Sequence, residues 1–137
     1  MSELNTKQAL VQQLLTVADS ADVAFENKDF DPSGKSFWFA CYYRNATEES
    51  TGKTPASSDQ AFGFFQVTVY TERNLANYDN LLLEKADLIK SAFRNTTSVN
   101  YSGQQVYILD TSSNDARPEN GWFKKDLSIN YMTFSAR

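Results

Sequence analysis

Three stretches of this chain alternate with a period of two, and one long stretch recurs near 3.6. Together they restrict the fold more than any other feature. In Ala61–Thr71, AFGFFQVTVYT, Phe65, Val67 and Val69 alternate with Gln66, Thr68 and Tyr70, the pattern of a half-buried strand. In WFKKDLSINYMTFSA, Leu127, Ile129 and Tyr131 alternate with Asp126, Ser128 and Asn130 in the same way. Ser36–Arg44 is different. Phe37, Phe39, Cys41 and Tyr43 point one way and Trp38, Ala40 and Tyr42 the other, so both sides are apolar and call for cover. Residues 75–94 place Leu75, Tyr78, Leu82, Ala86, Ile89 and Phe93 on one helical stripe, which Leu81 and Leu88 widen, with Asn74 as its cap.

Weaker signals complete the order. Leu10, Leu14 and Val17, with Val11, Leu15 and Ala18 beside them, predict a helix over residues 5–19 that starts at Asn5 or Thr6. DVAFE, residues 22–26, reads as a short strand, and Asp31-Pro32-Ser33-Gly34 as a turn, since Pro presets φ and Gly accepts positive φ. SVNYSGQQVYIL reads as a hairpin turning at Ser102-Gly103. Two polar runs, 45–60 and 111–121, are expected to be long loops. The expected order is α-β-β-β-α-β-β-β. That is an α+β fold: a mixed, mostly antiparallel sheet with two main helices on one face. At 137 residues and 41% hydrophobic, the chain suits one domain over 1–137 with a real core.

Most chemistry is excluded by what the chain lacks. It has no histidine, which removes Ser-His-Asp and Cys-His catalysis and His metal sites. Its one cysteine, Cys41, forms no internal disulfide and gives no zinc spacing. Gly34-Lys35-Ser36 and Gly52-Lys53-Thr54 spell the end of a phosphate-binding loop. That loop needs a glycine five residues earlier, where this chain has Asp29 and Thr47. The first candidate also leads into a strand rather than a helix, so both read as solvent-facing turns. Glu48-Glu49 and Glu84 with Asp87 have no flanking pocket that would split their pKa values. Asp110, Asp115 and Glu119 lack the spacing of a calcium loop. A net charge of −4 without a basic patch disfavours nucleic-acid binding. The N-terminal MSELNTKQ has no apolar signal region, and no apolar run approaches the roughly 20 residues of a membrane span. An expectation follows of a protein that is not an enzyme and holds no cofactor or metal.

The order of pieces resembles a known family. A short helix precedes Phe25-Glu26-Asn27, Phe30 and Pro32 and an aromatic strand. Gly63 with Phe65-Gln66-Val67 follows, then a long helix, a Gly103 hairpin, and Gly121-Trp122 with the closing strand. From about residue 8 to residue 134 this is similar to the tail-terminator-like, or tail-completion, proteins of long-tailed bacteriophages. The resemblance implies an α+β subunit of a hexameric ring, placed in the virion at the head–tail junction and assembled in the host cytoplasm. Such a ring caps the tail tube, ends its polymerisation and offers a face for head attachment. The implied partners are other copies of the chain, the tube protein and a head-completion or neck protein. DNA would pass through the lumen without specific binding, and no membrane is involved. Candidate subunit or partner contacts are Arg44, Glu48, Glu49, Lys53, Arg73 and Arg117, which lie in or beside the polar runs, with run 45–60 the leading contact segment. Two alternatives stay open: another neck or tube protein, and a small-ligand domain with Trp38, Tyr42 and Trp122 lining an aromatic pocket.

Overall fold

The three alternating runs become the long strands of one sheet. The computed structural model describes residues 3–50, 58–73, 79–94 and 96–136. The strands are β1 (Val23–Ala24), β2 (Phe37–Ser50), β3 (Ser58–Glu72), β4 (Ser98–Tyr101), β5 (Gln104–Ser113), β6 (Arg117–Glu119) and β7 (Trp122–Ala136). Their order across the sheet is β1-β2-β3-β7-β5-β4, with β6 paired to β7. β1 runs parallel to β2, and every other pairing is antiparallel. Helices α1 (Glu3–Leu14) and α2 (Asn80–Arg94) pack on one face. The α+β architecture is the expected one.

Register sorts the side chains. Phe65 pairs with Tyr43 and Ile129, and Val67 with Cys41 and Leu127, so all six share one side. That side meets the helices: the Phe65 ring lies 6.0 Å from Phe93, and Lys85 Nζ sits 4.3 Å from the Phe37 ring centre. Leu82, Ala86, Ile89 and Phe93 of α2 and Leu10 and Leu14 of α1 complete a buried core. Leu81 is half-buried, whereas Leu88, expected to widen the stripe, is exposed. The stripe is narrower because only the 82-86-89-93 spacing stays on the sheet side. Leu75, Tyr78 and the Asn74 cap lie outside the described residues.

Four boundaries differ from expectation. α1 covers Glu3–Leu14 rather than 5–19, so Asn5 and Thr6 lie inside it and are not caps. After Leu14 the chain turns, with the Ala18 N–H bonded to the Leu14 carbonyl and Asp19 capping a short 3-10 turn at Ser20–Asp22. The apolar residues 15–18 pack against the core from that turn, so helical spacing outlasts the helix. Of the run 45–60, residues 45–50 and 58–60 are strand rather than loop, since β2 continues to Ser50 and β3 starts at Ser58, and residues 51–57 lie outside the described residues. Residues 111–121 are not one loop either, since β5 runs to Ser113 and β6 pairs with β7 through a turn at Asn120-Gly121, both with positive φ. Backbone pairing holds these segments. Their side chains are mostly polar, so no apolar alternation marks them.

The turns stand as expected. The Lys35 N–H bonds to the Pro32 carbonyl at 3.1 Å, with Gly34 at φ 77. Ser102 and Gly103 both take positive φ between β4 and β5. The lysine there is a correction. Lys35 is half-buried rather than free in solvent, 2.9 Å from Asp22 and 5.9 Å from the Phe30 ring centre.

Candidate assembly surface

The sheet face turned away from the helices divides into three zones by register. The first is aromatic. Trp38 pairs with Tyr70, their rings stack at 4.0 Å, Phe30 covers Trp38 at 5.2 Å and Trp122 meets it edge-on at 5.8 Å. Trp38 Nε1 is buried and finds no acceptor. Tyr70 donates to Glu119 at 3.2 Å; burial, with Glu119 beside it, pushes its phenol well up from its usual value.

The middle zone is polar and centred on Asp126. Its carboxylate accepts from Thr68 Oγ1 at 2.7 Å and from Asn114 Nδ2 and Arg117, both at 2.9 Å. Burial alone would raise its pKa. The bonds from Thr68 and Asn114 and the charges of Lys124 and Arg117 together outweigh this and hold the carboxyl below its usual range. Asn114 also accepts from the Asp126 N–H, which ties the β5–β6 connection to β7. In the far zone, Thr47, Phe62, Met132 and Tyr107 form one row, and Gln60 faces Phe134 in the next. Phe62, Met132 and Tyr107 are half-buried and Phe134 is 42% exposed.

Two devices shape the β2 side. Among the described residues, no strand pairs with the outer side of β2 beyond Ala40. At Tyr43 the Glu26 carboxylate takes that place, accepting the Tyr43 N–H at 2.8 Å and Arg44 Nη1 at 2.8 and 2.9 Å. Burial raises the Glu26 pKa, but the Tyr43 N–H and the Arg44 guanidinium lower it further, so the carboxyl lies below its usual range. The second device is a bulge in β2 between Asn45 and Thr47. Opposite it, Gly63 leaves room for Tyr131, and any Cβ there would collide with the Arg44 carbonyl and the Tyr131 ring. The Tyr131 hydroxyl donates to the Arg44 carbonyl at 3.2 Å, and Asn45 Nδ2 spans the bulge to Glu48 at 2.8 Å.

The sequence-derived contact residues do not converge on one site. Arg44 and Glu48 both lie at the bulge, Arg44 paired with Glu26 and Glu48 accepting from Asn45. Glu49 stands on β2 opposite Gln60. Lys53 lies outside the described residues, as does Gly52-Lys53-Thr54 as a whole. Arg73 is exposed just past the end of β3, roughly 40 Å along that strand from the Glu48–Ala61 pair. Arg117 sits on β6, paired with Asp126 at 2.9 Å. Sequence reasoning missed Asp126 and Glu26 as organising groups. Asp126 showed only as one polar step of a strand, and Glu26 only as part of the Phe25-Glu26-Asn27 piece.

Enzymatic and ligand chemistry gains little here. Trp38 and Tyr42 line a groove of about 410 Å³ with Phe25, Phe30, Pro32 and Ala40, and Trp122 is not part of its lining. Burial pushes the Cys41 thiol up to about 11, which leaves it protonated and inert. Among the described residues, no three Cys, Asp or Glu side chains gather as a metal site, and no helix is long and apolar enough to cross a membrane.

Comparison with known proteins places the chain. No curated protein matches it. One solved structure superimposes with a TM-score of 0.74 at 19% identity, covering 97% of this chain and 96% of that one. A chain from the virion of a native gene transfer agent particle superimposes with a TM-score of 0.51 at 13% identity, covering 96% of each. At such identities the likeness is one of fold. The family model of the phage tail terminator protein matches residues 5–131. That match spans most of the chain, which therefore belongs to the phage tail terminator family and is a structural protein of the phage tail.

Proposed function

We propose that copies of this chain form a ring, six in number, that caps the tail tube at the head–tail junction. One ring face matches the last tube ring and binds it. The other lacks the tube's self-pairing surface, so polymerisation ends there and a head-completion protein finds its seat. The contacts between copies are heterologous and close by rotation. The work is steric and needs no catalytic group or cofactor. The observation that carries this reading is the one-sided sheet. Helices cover one face, while the other presents half-buried Phe62, Met132 and Tyr107 and the exposed Phe134, with no helix among the described residues laid over them. Uncovered apolar surface of this kind favours association with neighbours. The family match supports a place in the tail, and the likeness to a chain of a gene transfer agent virion agrees with a place in a virion.

The run 45–60 is the leading tube contact in this reading, with Glu48, Glu49 and Lys53 within it. Arg44, Arg73 and Arg117 are secondary contacts between copies. Six copies at −4 each carry about −24, a charge that lets DNA slide through the lumen without adhering. A ring lumen found lined with Lys and Arg overturns that last point. The assembly takes place in the host cytoplasm.

Electron microscopy of particles assembled without the protein tests the whole reading. Overlong tails without heads are expected, and purified chain added back restores joining. Tails of normal length with heads attached would sink it.

A further inference from the structure

The bulge in β2 separates the part of the strand that ends at Asn45 from its last residues, 47–50. Below it, Asn45 pairs with Gly63. Above it, one additional residue on β2 shifts the register so that Thr47 pairs with Phe62 and Ser50 with Asp59. An extra residue on one strand bends that strand and increases its local twist, so the bulge sets the direction of everything beyond it. Four residues decide its shape. Tyr131, 1% exposed, reaches from β7 across β3 and places its hydroxyl on the Arg44 carbonyl of β2. Gly63 on β3 supplies the gap through which it reaches. Tyr43, stacked on Tyr131 at 5.8 Å, holds the ring in place from β2. Asn45 clamps the bulge through Glu48. Asn45 Oδ1 is itself buried without a donor, a cost accepted at this point of the strand.

We infer that Tyr131 is a positioning residue for tail joining: its hydroxyl fixes the bulge and thereby aims the strand ends beyond it, residues 47–50 of β2 and 58–62 of β3. This rests on the proposal that the run 45–60 contacts the tube. Removing the hydroxyl while keeping the ring preserves the packing against Tyr43 and Gly63 and releases the Arg44 carbonyl together with the hydroxyl's interaction with the Tyr43 side chain. Tyr131→Phe then keeps the fold and its stacking, but the strand ends beyond the bulge are no longer held in one direction.

Three proteins test this in a joining assay with tails assembled in its absence: wild type, Tyr131→Phe, and a chain lacking residues 51–57. Hydrogen exchange is followed at the amides of residues 45–48 and 61–63. Tyr131→Phe is expected to exchange about five- to tenfold faster there, the effect of one lost hydrogen bond, with the core amides of α2 unchanged. Joining by Tyr131→Phe falls in step, and the shortened chain does not join. A merely structural role would speed exchange across the whole sheet and leave joining proportional to the folded fraction. Wild-type joining by Tyr131→Phe, with the shortened chain inactive, overturns the inference alone. Wild-type joining by the shortened chain overturns it together with the contact through the run 45–60 on which it rests. Asn45→Ser loosens the same bulge from the other strut and carries the same readouts should Tyr131→Phe misfold.

Discussion

The two faces of the sheet are built from the same strands and hold together by different physics. On the helix side, Phe65, Val67, Val69, Leu127 and Ile129 are buried to within a few per cent and belong to the hydrophobic core. On the open side, Trp38, Tyr70 and Trp122 stack beside charged groups, and Asp126 gathers donors from β3, β6 and the β5–β6 connection. Burial without direction holds the first face, and directed bonds at the margin of solvent hold the second. A face of the second kind stays soluble in a free subunit and still presents aromatic surface to a neighbour.

The sharpest way to break this contrast is to truncate one aromatic ring on each face. Phe65→Ala empties a fully buried site against Phe93 and is expected to cost about 3–5 kcal/mol in a urea melt. Trp38→Ala removes a larger ring, yet the half-buried site has solvent to fill it, so its cost should be the smaller of the two. Equal losses would mean that the open face is already a second core in the isolated chain.

The legibility of the molecule follows the same division. Alternation revealed β3 and β7, and the 82-86-89-93 stripe revealed α2, because the helix face demands apolar residues at a fixed period. Thr47–Ser50 and Ser112-Ser113 were hidden: their strand state is held by backbone bonds that leave no mark on the side chains. Glu26 and Asp126 were hidden for another reason. Their partners, Tyr43 with Arg44 and Thr68 with Asn114 and Arg117, lie up to 58 residues away and meet only after the sheet has formed. The pieces that carried the family resemblance prove to hold structural posts. Gly63 gives Tyr131 its path, Glu26 closes the edge of β2, and Gly121 turns the β6–β7 hairpin.

A middle-sized effect separates the faces by pH. The Asp126 carboxyl titrates below its ordinary 3.8 in the folded chain, so the unfolded chain takes up a proton first as pH falls. Its contribution is full above the unfolded pKa and disappears as pH drops through the folded one. Asp126→Asn, which keeps one acceptor for Thr68 but opposes Asn114 and Arg117, should cost about 1–2 kcal/mol at neutral pH. The difference in melting temperature from wild type should shrink between about pH 5 and pH 2. A difference that stayed constant with pH would show that the site works by shape alone.

The smallest effect belongs to the edge of β2. The Arg44 side chain is 50% exposed, so its pair with Glu26 is screened by water and worth under about 1 kcal/mol. Glu26 has a second bond, to the Tyr43 N–H, which no other strand takes. Arg44→Ala should therefore barely move the urea midpoint, whereas Glu26→Ala, which also strips the Tyr43 amide, should move it more. The order of the two is the informative part. Were Arg44→Ala the more costly, the guanidinium would be acting through its contact with the Tyr42 ring, 5.8 Å away on the open face, rather than through the carboxylate. The edge would then belong energetically to the aromatic zone, and Glu26 would close β2 without helping to hold it.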